Sequence, residues 1–225
     1  MKTDGFSRAE GVILKVVPFR DADQIVMLFT REAGIIKLIT FGGTNQKQKA
    51  KCSPLSHVEV IYKEQKSEIF QCREMTHLNS YPQLRAQLRF LQAGCDLLNQ
   101  IVRQEVGKPA PPLYDLLKYF LEKIPEAQDP DLLSLCFRVK LLKYEGLWGS
   151  QVCSICSTQL KEIYAEQGHF FCKEHASDQV CVLDEDEWYL CCYLAELGRF
   201  KEISALVIPE LSKQRLSHFL FSYFM

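Results

Sequence analysis

The 225-residue chain predicts an α+β fold: a small N-terminal barrel of five strands, then a helical domain interrupted by a cysteine-rich module. Three observations predict it. Five short β-rich runs separated by turn-rich segments fill the first eighty residues. From Tyr81-Pro82 onward apolar residues recur every three to four positions, the period of an amphipathic helix. Two tight pairs, Cys153-Ser-Ile-Cys156 and Cys172-Lys-Glu-His175, stand fifteen residues apart.

The strands follow in order. Val12 to Val17 is β-branched and ends at Pro18; Gln24 to Thr30 is the second run. Gly34 turns the chain into the third, Ile35 to Phe41. After a polar loop come Val58 to Tyr62 and Glu68 to Cys72. The strand count suits a five-stranded Greek-key OB barrel, and an SH3-like barrel is the nearest rival.

The first predicted helix carries Leu84, Leu88, Leu91, Cys95, Leu98 and Val102 on one face, and Pro109-Ala-Pro-Pro112 breaks it. The second carries Leu113, Leu116, Leu117, Phe120, Leu121 and Ile124. A third starts at Asp129-Pro130-Asp131, an acidic cap with proline in the first turn, and runs through Leu132, Leu135, Cys136, Val139, Leu142 and Leu147. Asp184 to Glu187 precedes another apolar run, Trp188 to Leu197. Acids there suit the positive end of a helix dipole better than a metal. A last helix follows Pro209. The predicted divisions are 1–80 for the barrel, 81–150 and 181–225 for the helical domain, and 151–180 for the inserted module.

The paired spacing puts two ligands on one side of each of two tight turns, and the turns together close a tetrahedron. The expected site is Cys153, Cys156, Cys172 and His175 around one structural zinc, with no position left open for chemistry. His169 and Cys181 lie near enough in sequence to replace His175 as the fourth ligand. The other cysteines show no such pairing and read as small core hydrophobes.

Composition is that of an ordinary globular protein, 47% hydrophobic and 24% charged. No run approaches the ~20 apolar residues that span a bilayer. Met1 to Gly5 lacks an apolar signal core, so the expected compartment is the cytosol, where thiols stay reduced. Net charge is −1, with 12 Lys+Arg against 9 Asp+Glu in residues 1–80 and 15 against 19 in 81–225. The mildly basic first part permits a polyanion partner.

Within it, Lys47, Lys49 and Lys51 alternate on a loop opened by Gly42-Gly43. The loop suits a phosphate backbone and reads equally as a solvated connection. Arg8, Lys15, Arg20, Arg31 and Lys37 stand in the same strand-rich part and extend that surface if they share a face. Phe19 and Phe41 border loops and are the aromatic candidates for base stacking; the other barrel aromatics read as core. His57, His77 and His218 stand isolated. No Walker-type loop, Gly-x-Ser-x-Gly elbow or His-Glu-x-x-His helix occurs, so the residues do not point to an enzyme.

Glu10-Gly-Val-Ile-Leu-Lys15, followed by Asp21-Ala-Asp23 through Thr30-Arg-Glu-Ala-Gly34, resembles the opening of the bacterial DNA repair family RecO. Phe137-Arg138 through Leu142-Lys-Tyr-Glu-Gly146, leading into Cys153-x-x-Cys156, resembles that family's link from helical domain to zinc module. The resemblance runs the whole length in order. It implies an OB barrel, a helical domain with an inserted zinc module, and a role without turnover. It further implies binding of single- and double-stranded DNA, annealing of complementary strands, and work with RecR and the C-terminal tail of SSB to load RecA. It places the protein in the bacterial cytoplasm, at the nucleoid when bound to DNA. The DNA residues expected from the charges of the strand-rich part and its loop are Lys15, Arg20, Arg31, Lys37, Lys47, Lys49 and Lys51. Two departures stand out. Gly42 to Gln46 lacks the arginines usual after the third strand, and His175 replaces the usual fourth cysteine. The rival reading is a zinc-stapled OB adaptor that binds RNA and does not anneal.

Overall fold

The computed structural model describes residues 5–20, 23–41, 52–104, 106–148, 152–166, 169–176 and 181–222. Its contacts group the chain into two compact units, Met1–Pro125 and Glu126–Met225.

The first unit opens with β1 (Ser7–Phe19), β2 (Asp23–Thr30), β3 (Gly34–Thr40), β4 (His57–Lys63) and β5 (Ile69–Asn79). They close into a barrel in the order β1-β2-β3-β5-β4, with β3 and β5 parallel. β1 makes closure possible because its two halves have different partners: Ser7 to Val12 pairs with β4, and Gly11 to Phe19 with β2. A bulge at Leu14 lies in this crossover. There Ile13 N–H donates to Ser56 O (2.8 Å) and Leu55 N–H donates to Ile13 O (3.1 Å). This is the OB arrangement, which decides against the SH3-like alternative. β1 and β5 both run longer than their apolar cores suggest, because pairing continues through polar residues.

Period-2 alternation sends Ala9, Ile13, Val26, Leu28, Ile36, Leu38, Val58, Val60 and Tyr62 inward, and Phe70 stacks on Tyr62. One end of the outer surface is covered too. α1 (Pro82–Arg85), α2 (Leu88–Arg103) and α3 (Pro111–Lys123) follow the barrel, and Tyr114 of α3 meets Phe29 edge to face at 5.7 Å. At the β2–β3 turn Gly34 has φ +69°, and a side chain there would sit 2.3 Å from Val106 O, so only glycine fits.

The α2 face differs from the one its large apolar residues suggest. Leu88 is 70% exposed, and the buried side is Phe90, Ala93, Gly94, Leu97, Leu98 and Ile101. A side-chain carbon added at Gly94 would lie 3.1 Å from Leu55, so this face of the helix approaches Leu55 closely.

The second unit is built on α4 (Pro130–Tyr144), which is buried almost all round. Asp129 caps it, accepting from Asp131 and Leu132 N–H at 3.1 Å, as the sequence predicts. A small sheet of β6 (Ile163–Glu166), β7 (His169–Phe171) and β8 (Cys181–Leu183), ordered β7-β6-β8, leads into α5 (Glu185–Glu196). Asp184 and Glu187 form a reciprocal capping box, confirming the helix-start reading of that acidic run. α6 (Phe200–Ser204) and α7 (Glu210–Ser222) complete the unit. Among the described residues no helix is long and apolar enough to cross a membrane.

Charge follows this division. Met1–Pro125 holds 18 Lys+Arg against 13 Asp+Glu, a net of +5; Glu126–Met225 holds 9 against 15, a net of −6.

Candidate nucleic-acid interface and metal centre

At the other end of the barrel, strand register sets which side chains face outward. Lys15 of β1 lies opposite Met27 of β2, which lies opposite Lys37 of β3. Paired residues share a face, so two cations stand about 10 Å apart, two strand spacings, across an apolar residue. The next outward row is Val17, Ile25 and Ile39. Val17 is 41% exposed, and Phe41, directly after β3, is 49% exposed. Phe19 ends β1 half-buried, with the Arg20 guanidinium 5.2 Å from its ring centre. The result is an apolar strip edged by Lys15, Arg20 and Lys37.

Lys15 is exposed and makes no ion pair among the described residues, whereas Lys37 reaches Glu68 at 3.9 Å. Two expected residues lie elsewhere. Arg31 pairs with Asp115 of α3 at 2.9 Å, at the covered end, and Arg8 Nη2 donates to both carboxylate oxygens of Glu59 at 2.6 Å. Lys47, Lys49 and Lys51 fall outside the described residues. The apolar members Val17, Ile25, Met27 and Ile39 were not legible as a surface. β-branched residues in a strand read as core, and only the register shows which side is covered.

Between barrel and α3 lies a polar network that sequence does not reveal. His57 is 7% exposed, and its Nε2 sits 2.7 Å from Glu10 Oε1 and 3.1 Å from the Tyr114 hydroxyl. Lys118 Nζ is 3.4 Å from the same carboxylate oxygen. Burial, reinforced by Lys118, holds the His57 pKa below its usual value and outweighs the attraction of Glu10. Burial opposes ionisation of Glu10, but His57 and Lys118 together bring its pKa down. Both depressions have one sign: the unfolded chain takes up protons first, so stability falls with falling pH. The His57 contribution is present above about pH 6.5 and is lost as pH drops below it, and Glu10 follows below about pH 4. Urea unfolding at pH 7.0 and 5.5 checks this: His57→Gln should reduce the pH dependence of the first unit. An unchanged dependence contradicts it.

In the second unit two turns carry the cysteine pairs. The first is closed by Cys153 N–H to Thr158 O (2.8 Å) and Ser157 N–H to Cys153 O (2.9 Å), with Ser157 at φ +57°. The second follows β7 and is closed by His175 N–H to Cys172 O (3.0 Å). Ser154 N–H donates to Phe170 O (2.8 Å) and draws the turns together.

The donor atoms of Cys153, Cys156, Cys172 and His175 then lie within 4.8 Å of one another. Cys156 Sγ is 3.8 Å from Cys172 Sγ, and His175 Nδ1 is 3.7 Å from Cys153 Sγ and 3.2 Å from Cys172 Sγ. A tetrahedron with typical metal–ligand bonds has edges of about 3.8 Å between sulfurs and 3.5 Å between sulfur and nitrogen. The set therefore fits one metal ion. Among the described residues His175 is the fourth member of the cluster; His169 is exposed beside Phe171, and the Cys181 side chain lies outside the described residues.

The turns also prepare thiolates. Burial opposes ionisation of Cys153, but N–H groups of Cys156, Cys172 and Ile155 aimed at its sulfur bring its pKa down to about 5. The Thr158 side chain and N–H lower Cys156. Cys172 is raised by burial and by its thiol neighbours, and His175 is raised chiefly by Cys153.

Beneath the cluster the turn is part of the unit's core. Cys153 is 1% exposed and packs in one cluster with Val139, Leu142, Ile163, Phe170, Trp188 and Phe219. Phe170 meets Trp188 edge to face at 4.9 Å, and Trp148 stacks on Trp188 at 5.4 Å. The cluster thus sits where a metal would tie a loop-rich segment to the helices.

These features define an OB-barrel protein with a cationic, apolar outer face and an appended helical unit built around a cluster able to hold a metal ion. The chain belongs to the recombination protein O family: residues 1–81 match "Recombination protein O N terminal" and residues 85–224 match "Recombination protein O C terminal". It is similar to the DNA repair protein RecO of Chlamydia trachomatis serovar L2, with 27% identity over 202 residues, 87% of this chain and 83% of the relative. The RecO of Chlamydia pneumoniae is 26% identical over 205 residues, 87% and 79% of the two chains. That of Exiguobacterium sibiricum is 24% identical over 223 residues, 96% and 89%.

Proposed function

We propose that this chain is a DNA repair and recombination mediator without turnover chemistry. It binds single- and double-stranded DNA, anneals complementary strands and, with RecR, helps load RecA onto SSB-coated DNA. The observation that carries this reading is the open barrel face, where Lys15 and Lys37 flank Val17, Ile25, Met27 and Ile39 with Phe19 and Phe41 beside them. Cations there neutralise phosphates and release counterions, while apolar and aromatic surface takes unstacked bases without reading sequence. Lys47, Lys49 and Lys51, which follow β3 in sequence, add phosphate contacts in this reading. In this reading DNA is held by residues 1–80, and residues 81–150 and 181–225 carry the helical contacts, including that for the SSB tail. Residues 151–180 are stapled by one structural zinc on Cys153, Cys156, Cys172 and His175. The soft sulfur–imidazole donor set supports zinc. The protein acts in the cytoplasm, at the nucleoid when bound.

Annealing then follows from elementary electrostatics. Two strands repel through their phosphates; a cationic surface screens that repulsion and concentrates both. Shallow contacts release the duplex once it forms. Mixing two labelled complementary oligonucleotides with the protein across a salt series tests this. Annealing should accelerate without nucleotide and fade as salt rises. No acceleration at low salt, or a preference for RNA over DNA of the same sequence, contradicts it.

A further inference from the structure

We infer that the outward face of α5 is a docking surface for a lysine- or arginine-bearing segment of a partner protein. The helix is packed on its inner side, where Trp188, Cys191, Leu194 and Ala195 are buried. Its outer side carries Tyr189 and Tyr193, 71% and 39% exposed. The two rings stack, 6.4 Å between centres and 9° between planes. Residues four apart stand one above the other on a helix, so the pair forms a continuous aromatic step on a rigid support. Exposed single apolar residues are ordinary; two tyrosines already ordered against each other offer contact area with little further entropy to lose.

What covers this step is set by charge. One turn before it stand Glu185 and Asp186, and one turn after it Glu196, all exposed. Glu196 is held by Lys143, whereas Glu185 and Asp186 make no ion pair among the described residues. The aromatic step thus has two unpaired acids, Glu185 and Asp186, at its N-terminal end and the Lys143–Glu196 ion pair at its C-terminal end, within a unit of net charge −6. A phosphate backbone is repelled there. An ammonium or guanidinium group is favoured twice, by the π face of a tyrosine and by the acids beside it. The two units therefore divide their partners: polyanion on the net-positive barrel unit, cationic protein segment on α5.

The test uses the full-length protein, a synthetic peptide of alternating Leu-Leu and Arg-Arg pairs as probe, and a single-stranded oligonucleotide as control. Saturable peptide binding should perturb backbone amide resonances of residues 185–196. Tyr189→Ala/Tyr193→Ala should weaken it at least about tenfold, and Glu185→Gln/Asp186→Asn by a similar factor. The tyrosines are exposed, so far-UV circular dichroism and Tm should stay unchanged in that variant, whereas neutralising the two first-turn acids should keep the circular dichroism and lower Tm by a few degrees. No saturable binding, binding indifferent to the tyrosine pair, or perturbation confined to other residues overturns the inference. So does loss of oligonucleotide binding, or a change in sedimentation coefficient, in the tyrosine variant. Those outcomes make the step a nucleobase platform or a self-association surface.

Discussion

Cys153→Ala should release the metal and unfold the module that Cys153 anchors. The residue combines two roles: it supplies one donor to the four-residue cluster, and its side chain is fully buried in the core of the second unit, against which Cys172 packs only partly buried. Removing it costs a donor and a packed group together. Structural zinc supplies on the order of 10 kcal/mol in small modules, comparable to the whole stability of a domain. Even ~4 kcal/mol lost from a unit of this size lowers its Tm by roughly 15–30 °C. Cys156→Ala removes a donor that is exposed, so it should cost the metal without the packing loss. Hydrogen exchange separates the consequences. Amides of 152–176 should lose protection in both variants, whereas amides of α4 should weaken chiefly in Cys153→Ala. A metal-free Cys153→Ala protein that melts within about 2 °C of wild type contradicts the structural role.

The second large effect concerns the barrel face. Lys15→Ala/Lys37→Ala should lower affinity for a single-stranded oligonucleotide on the order of tenfold at low salt. It should also reduce the slope of log K against log salt by about 1.4, two contacts at ~0.7 each. Lys37 already pairs with Glu68, which competes with phosphate. Glu68→Gln should therefore tighten binding modestly. Arg31→Ala is the control: its partner Asp115 holds it at the covered end, so affinity and slope should change little. Fluorescence anisotropy across salt measures all three. A slope unchanged in the double variant places the contact elsewhere.

The parts of this molecule legible in the sequence are those fixed by local chemistry. Asp129 and Asp184 cap helices because a carboxylate three residues before an N–H donor needs no distant partner. The cysteine and histidine pairs act likewise, since each lies within a single tight turn. Strands β2, β3 and β4 were legible from β-branched runs between turns, but β1 and β5 were underestimated where pairing extends past the apolar stretch. The α2 face was misread because Ala93 and Gly94 bury by closeness rather than size. The outward face proposed for DNA mixes residues of two kinds. Its lysines and phenylalanines stand out as residue types, but their companions Val17, Ile25 and Ile39 belong to it only through register. His57 had no partner in sequence because Glu10, Tyr114 and Lys118 come from distant elements. The small sheet β6 to β8 was missed altogether, as three- and four-residue strands give no periodicity.

DNA is proposed to lie across the outer face of β1, β2 and β3. Photo-cross-linking addresses it most directly: a single strand carrying 5-iodouracil, irradiated in complex with the full-length protein, with the adducts mapped by mass spectrometry. Adducts are expected on Phe19 or Phe41, the aromatic side chains two outward positions along the strands from Lys15 and Lys37. Adducts found only within residues 126–225 contradict it.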